Sequence, residues 1–116
     1  MKKQNNFKYS IVIPTYNHCD DLLKPCLDSI VAHSNMSETE IVVVANGCVD
    51  NTRSYVTELK QQYPSINLVW FDEGIGFTKA TNAGIKVAQG KFVLLLNNDT
   101  VIYGKNWLDT LSEPFS

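Results

Sequence analysis

Four short polar stretches, each closing an apolar run, hold the residue types that could do chemistry: Pro14-Thr15-Tyr16-Asn17, Ala45-Asn46-Gly47 with Asp50, Asp72-Glu73-Gly74, and Asn97-Asn98-Asp99. A carboxylate in such a place can hold Mg2+ or Mn2+ against a diphosphate. These ions keep several waters and need only one or two carboxylates besides phosphate oxygens. Tyr16 is an aromatic that could stack on a nucleobase or simply pack against its own loop. Turn chemistry explains Asn46-Gly47 and Gly74 without any ligand. It explains Asn97-Asn98-Asp99 less well, because two amides and a carboxylate there follow the most hydrophobic run of the chain.

For these groups to meet, the apolar runs must be neighbouring strands, and the hydrophobic period supports that. Tyr9 to Pro14 is short and β-branched and ends in proline, which reads as a buried strand. Leu22, Leu23, Cys26, Leu27, Ile30 and Val31 then form one apolar helical stripe. Pro25 is tolerated early in a helix, which places the helix start near Asp20 or Asp21. Ile41 to Val44 is a second strand, and Asp50 reads as the N-cap of a helix carrying Val56, Leu59 and Tyr63 and stopped by Pro64. Ile66 to Phe71 is a third strand. A third helix runs from Phe77 to Ala88, with Gly90 expected as its left-handed cap.

Phe92 to Leu96 is a fourth strand, apolar at every position and so expected to be covered on both faces. A short helix is expected between Lys105 and Leu111. Strands alternating with helices predict an α/β fold: a Rossmann-like, doubly wound, mostly parallel sheet with helices on both faces. Ligands in such sheets bind beyond the carboxyl ends of the strands, where all four polar stretches fall. Gly74-Ile75-Gly76-Phe77-Thr78-Lys79 has the glycines of a phosphate loop, but it follows the third strand and matches neither the dinucleotide nor the P-loop spacing.

The 116 residues predict one domain, with residues 1–7 as a flexible N-terminus. A net charge of −2 gives no reason to expect nucleic acid or an anionic membrane as partner. No apolar run reaches about 18 residues, so no transmembrane segment is expected, and the N-terminal apolar stretch is too short for a signal peptide. Cys19, Cys26 and Cys48 cannot all pair, and Cys19 and Cys26 would lie about 10 Å apart on a helix, too far for a disulfide. They lack zinc spacing and read as reduced thiols of a cytoplasmic protein.

Four segments in this order and spacing resemble the N-terminal half of the family-2 glycosyltransferases of the A-type fold. They are Ser10 to Asn17, Glu40 to Asp50, Gly76-Phe77 through Asn82-Ala83-Gly84-Ile85, and Gly90 to Asp99. The resemblance implies an inverting enzyme that moves a sugar from a UDP-, dTDP- or GDP-linked donor to a glycan or lipid-linked acceptor, with Mg2+ or Mn2+ as cofactor. Its Asn-Asn-Asp form is similar to that of transferases for bacterial surface polysaccharides. The site residues implied are Pro14, Thr15, Tyr16, Asn46, Asp50, Gly76, Lys79, Asn82, Asn97 and Asn98 for the donor, and Asp99 for the metal. The full-length protein is then expected to be cytoplasmic and peripheral to the inner membrane.

Two positions depart from that pattern. Ala45 stands where the family often has a base-contacting aspartate, and Asn97 stands where its motif has a first aspartate. An amide can bond a ribose hydroxyl but is a poorer metal ligand. The resemblance also places the general base in an acceptor-binding half beyond residue 116, and neither Asp109 nor Glu113 is expected to replace it. His18 and His33 read as helix-surface residues with no visible partner. The competing readings are a sugar-nucleotide-binding or regulatory module without turnover and a nucleotidyltransferase. The latter is disfavoured because Thr15-Tyr16-Asn17-His18-Cys19 is not a Gly-rich basic loop.

Overall fold

A computed structural model describes residues 7–115, so the expectation for residues 1–6 lies outside the described residues. Phe7 is ordered by the sheet: its carbonyl accepts a bond of 3.1 Å from the Lys91 amide. Four parallel strands, β1 (Tyr9–Thr15), β2 (Thr39–Asn46), β3 (Ile66–Phe71) and β4 (Phe92–Leu95), lie in the order β3-β2-β1-β4. Three main helices connect them: α1 (Lys24–His33), α2 (Thr52–Gln62) and α3 (Phe77–Val87).

The chain steps β1 to β2 to β3 in one direction, then returns to place β4 on the other side of β1. Right-handed crossovers turn that reversal into a change of face. Tyr9, Ile11, Ile13, Ile41 and Val43 accordingly pack against Leu23, Cys26, Leu27 and Ile30 around α1 and Val56 of α2. The alternate residues Val12, Val42 and Val44 pack on the opposite face against Ala80 of α3. β1 and β2 are apolar at successive positions because both their faces are covered.

The helix expected from Asp20 or Asp21 begins earlier, with a wide π turn over Cys19–Leu23 that runs into α1. Its bonds run from Leu23 N to the His18 carbonyl (3.1 Å) and from Lys24 N to the Cys19 carbonyl. Pro25 has no N–H to give, and its ring would crowd the carbonyl four residues back. Widening the preceding turn relieves that conflict.

Gly90 is not the left-handed cap expected of it. α3 ends at Val87 with Ala88 extended (φ −67°, ψ 138°), and the positive-φ glycines are Gly47 and Gly76. Gly90 is required by close approach instead: a Cβ there would lie 2.6 Å from both the backbone N and the Oγ of Ser10. The Gly90 amide donates to Ser10 Oγ (2.7 Å), Ser10 Oγ donates to buried Glu40 (2.6 Å), and the Gln89 amide donates to the same Glu40 oxygen (2.9 Å). This clamp fixes where β4 begins.

β4 is shorter and less covered than expected. Phe92 and Leu94 are half-buried against the α1 face, but Val93 and Leu95 remain 45% and 43% exposed. β4 is an edge strand, and α3 packs over β1 and β2, so its outer face has no cover among the described residues. Beyond it the chain returns along α1, where Ile102 N bonds Ser29 Oγ (2.9 Å) and Trp107 Nε1 bonds Ser34 Oγ (2.9 Å). It closes with α4 (Trp107–Ser112), slightly later than expected, and a 3-10 turn over Glu113–Phe115.

The close approach at Gly90 separates two outcomes. A left-handed cap would accept asparagine, whereas a glycine pressed on Ser10 cannot. Gly90→Asn is expected to lower unfolding free energy in urea by about 1–3 kcal/mol; unchanged stability would refute the account.

Candidate functional site

The strand order reverses between β1 and β4, the place where an open α/β sheet offers a crevice to ligands. A cleft of ≈ 410 Å³ opens there at the carboxyl ends of the strands. Pro14, Thr15 and Tyr16 from the end of β1, Asn46 from the end of β2, and Asn97, Asn98 and Asp99 beyond β4 line it. Seven of the eleven residues expected at the donor and metal site are thus brought together by parallel pairing alone.

Their mutual positions are held by side-chain bonds. Asn98 Nδ2 donates to Thr15 Oγ1 (3.0 Å), which ties the β4 end to the β1 end. Asn46 Oδ1 accepts the Ile75 amide (2.8 Å), which anchors the loop leading into α3 and leaves the Asn46 NH2 available. The Leu96 amide continues the ladder to the Val12 carbonyl (2.9 Å). Thr100 N then closes a turn on the Asn97 carbonyl (3.2 Å). That turn presents Asp99 as an exposed carboxylate with no hydrogen bond or ion pair among the described residues.

Asp50, the other aspartate assigned to the site, is engaged by its own chain. Its Oδ1 accepts Thr52 N (3.1 Å) and Thr52 Oγ1 (2.6 Å), and its Oδ2 accepts Cys19 N (3.0 Å). It caps α2 from one residue further out than a standard N-cap, since Asn51 holds that position without a side-chain cap. Burial pushes the Asp50 carboxyl up, but the Thr52 hydroxyl and the Cys19 and Thr52 amides together hold it below its ordinary value. Asp50 lies outside the cleft lining, as do the exposed Gly76, Lys79 and Asn82.

Three lining residues escaped sequence reasoning: Leu22, read only as part of the apolar helical stripe, Phe77 and His18. Phe77 fits the apolar stripe of α3 by spacing, yet it is 58% exposed at the start of that helix and forms a wall opposite Tyr16's strand end. Its position directly after Gly76 (φ 89°) was the available signal. His18, expected to be an unpartnered surface residue, lines the cleft, and its Nδ1 bonds Asp21 Oδ2 at 3.1 Å. His33 is also partnered, donating from Nδ1 to the Ser29 carbonyl (2.9 Å).

The first loop is strapped to the second. Asn17 Oδ1 accepts Val49 N (2.8 Å), Asn51 Nδ2 donates to Asp20 (3.0 Å), and Cys48 Sγ accepts Asn17 N (3.3 Å) while donating to the Thr15 carbonyl (3.5 Å). All three cysteines are free and buried. Burial pushes the Cys19 and Cys26 thiols up to about 11, which makes them inert at neutral pH. Asp109 is far from this chemistry: it takes a hydrogen bond from the hydroxyl of Tyr9, the first residue of β1, at the opposite end of that strand from the cleft.

Among the described residues no cluster of three His, Cys, Asp or Glu side chains could enclose a metal by itself. The donor set at Asp99 is one hard carboxylate flanked by amides. That suits an ion which takes its remaining ligands from phosphate and water.

The family model for Glycosyl transferase family 2 matches residues 10–116. The chain belongs to glycosyl transferase family 2. It is 33% identical over 97 residues to a poly(ribitol-phosphate) beta-glucosyltransferase of Bacillus spizizenii, covering 82% of this chain and 15% of that one. The S. aureus TarS 1-349 structure in complex with UDP-GlcNAc superposes with a TM-score of 0.79 at 26% identity, covering 92% of this chain and 30% of TarS. The mannosyltransferase PcManGT from Pyrobaculum calidifontis, in complex with GDP-Man and Mn2+, gives 0.78 at 26% identity, covering 89% and 30%. The fold is that of the A-type glycosyltransferases. The chain spans about a third or less of the length of the curated relatives it matches. No described helix is long and apolar enough to cross a membrane.

The engagement of Asp50 has a pH signature. A carboxyl depressed in the folded state contributes stability that is fully present above about pH 4 and is lost as pH falls through the depressed value. Asp50→Asn is expected to be less stable than the parent at neutral pH and to show a flatter loss of stability on acidification, followed by urea unfolding. Parallel profiles would remove Asp50 from this role.

Proposed function

We propose that this chain is the donor-binding part of an inverting glycosyltransferase that acts on a UDP-, dTDP- or GDP-linked sugar. The observation that carries the reading is the free carboxylate of Asp99 in a cleft at the strand reversal, beside Asn97, Asn98 and the Thr15-Tyr16 strand end. Binding of UDP-GlcNAc by TarS, and of GDP-Man with Mn2+ by PcManGT, supports it.

In this reading Tyr16, 60% exposed, offers its ring to the base and Phe77 closes the opposite wall. Asn97, whose side chain has no bond among the described residues, bonds a ribose hydroxyl, and Thr15 and Asn98 fix the floor as a pair. Asp99 holds Mg2+ or Mn2+, and the ion neutralises charge building on the diphosphate leaving group. Asp50 acts through position: it holds the first loop against α2. Lys79, Asn82 and Gly76 contribute from the edge of the site, outside the lining.

Asp99 is the one carboxylate lining the cleft among the described residues. An inverting transfer also needs a base for the acceptor hydroxyl, so turnover requires a carboxylate from outside this set. That same observation favours a second reading, a sugar-nucleotide-binding module without turnover. The acceptor we assign is a glycan or lipid-linked sugar in bacterial surface polysaccharide synthesis, supported by the poly(ribitol-phosphate) relative. Free buried thiols fit a reducing compartment, so we place the protein in the cytoplasm, peripheral to the inner membrane.

Calorimetric titration with UDP, dTDP and GDP, with and without Mn2+, tests the reading. Metal-dependent binding of at least one is expected, reduced about tenfold or more in Asp99→Ala, or 1.4 kcal/mol or more. Failure to bind any of the three sinks both readings. Slow, Mn2+-dependent hydrolysis of a donor sugar distinguishes the enzyme from the inert module.

A further inference from the structure

We propose that His18, held by Asp21, is the phosphate-binding side chain of the cleft and donates its Nε2–H to a phosphate oxygen of the bound nucleoside diphosphate. The inference rests on the donor-binding reading above and names a contact for it. A diphosphate is strongly anionic, and Asp99 adds a further negative charge to the same cleft. Among the described residues no lysine or arginine lines that cleft, and His18 is the one side chain there able to carry positive charge. Two cations on adjoining elements are engaged by aromatic rings. Lys24 lies over the Tyr55 ring (5.5 Å) and Arg53 over the Trp70 ring (4.7 Å), while Lys79 is outside the lining.

The geometry of His18 fits the role. An ionised carboxylate only accepts hydrogen bonds, so the 3.1 Å contact between Nδ1 and Asp21 Oδ2 requires the proton on Nδ1. That leaves Nε2 as the nitrogen available to a ligand; a phosphate oxygen only accepts, so the contact takes the ring with a proton on each nitrogen, the form that an anion bound at Nε2 stabilises. The backbone is equally specific. His18 sits at φ 56°, ψ 39°, immediately after Asn17 at φ 53°. Two successive non-glycine residues in the left-handed region are costly and persist only where surroundings impose them. Asn17 is explained by its bond to Val49 N. For His18, the carbonyl accepts both Leu22 N (3.0 Å) and Leu23 N (3.1 Å), which starts the wide helical turn and sends the side chain to the cleft rather than into the core. A glycine would make this turn without strain; a histidine keeps the strain and adds an imidazole at the cleft.

The test uses the full chain with Mn2+ and whichever of UDP, dTDP or GDP binds tightest, alongside the matching nucleoside. His18→Gly is expected to unfold at a temperature equal to or above the parent's, because it relieves a left-handed residue. It is also expected to lose about tenfold or more in diphosphate affinity while nucleoside affinity stays unchanged. His18→Asn, which tolerates the same backbone but carries no charge, should show the same loss. His18→Arg should recover most of it, and Asp21→Asn should lose a smaller factor. Diphosphate and nucleoside affinities falling together, or a diphosphate affinity unchanged in His18→Gly and His18→Asn, would overturn the proposal. If the parent chain binds no nucleoside diphosphate, the donor-binding reading fails and takes this contact with it. Parent binding with indifferent His18 variants defeats only the contact.

Discussion

The cleft depends on the pairing of β4 with β1 in a single register. Only four residue pairs, Tyr9↔Phe92 to Val12↔Leu95, make that contact. A slip of one residue would turn Phe92 and Leu94 away from the core and move Asn97, Asn98 and Asp99 off the strand end they share with Thr15. A ladder this short on a sheet edge is a weak determinant by itself, so the register is pinned outside it. At the amino end, Lys91 N and Phe92 N reach the Phe7 and Lys8 carbonyls (3.1 and 2.9 Å), and Gly90 N reaches Ser10 Oγ. At the carboxyl end, Leu96 N reaches the Val12 carbonyl and Asn98 reaches Thr15.

The amino-end pin rests on a buried acid. Glu40 is 3% exposed and has no lysine or arginine against it among the described residues; its oxygens are satisfied by Ser10 Oγ, the Gln89 amide and Asn67 Nδ2 (3.3 Å). A buried carboxylate so bonded is specific in geometry, because each donor left without it would be stranded at a cost of about 1–3 kcal/mol. The network joins β1, β2, β3 and the turn before β4, the elements whose order creates the reversal. Nothing in the residue pattern announced it: Glu40 precedes the apolar run Ile41 to Val44 and reads as ordinary polar punctuation.

What could be read from sequence divides along physical lines. Continuous apolar runs located all four strands and a period of 3.6 the three main helices, because burial of whole faces is a collective signal. Seven of the residues expected at the donor and metal site line one cleft, since parallel pairing sends every strand end to one edge. Single-residue geometry was not legible. Gly90 looked like a cap and is a close contact; Asp50, read as a helix cap, bonds Thr52 at the start of α2 and also the Cys19 amide, which the sequence did not reveal. His18 and Phe77 are each compatible with a bland role by type, and only the left-handed turn and the exposed helix start assign them to the cleft. The exposed Val93 and Leu95 mark the same limit: a run that is apolar throughout predicts two covered faces, but coverage depends on where α3 lands.

The contrast between Asp50 and Asp99 shows how a fold distributes roles among like residues. Both follow strands in loops at the same edge of the sheet. At Asp50 the next residues start a helix, and helix starts supply free amides that capture a nearby carboxylate. At Asp99 the chain turns back on Asn97 and runs off along α1, so no helix begins within reach and the carboxylate stays open. The first aspartate is consumed in holding the loop that carries Asn17 and His18; the second is left with its full capacity for a cation. On the proposed reading, the anion's charge is divided between a metal at the open carboxylate and a hydrogen bond at the imidazole, both of which line the same cleft.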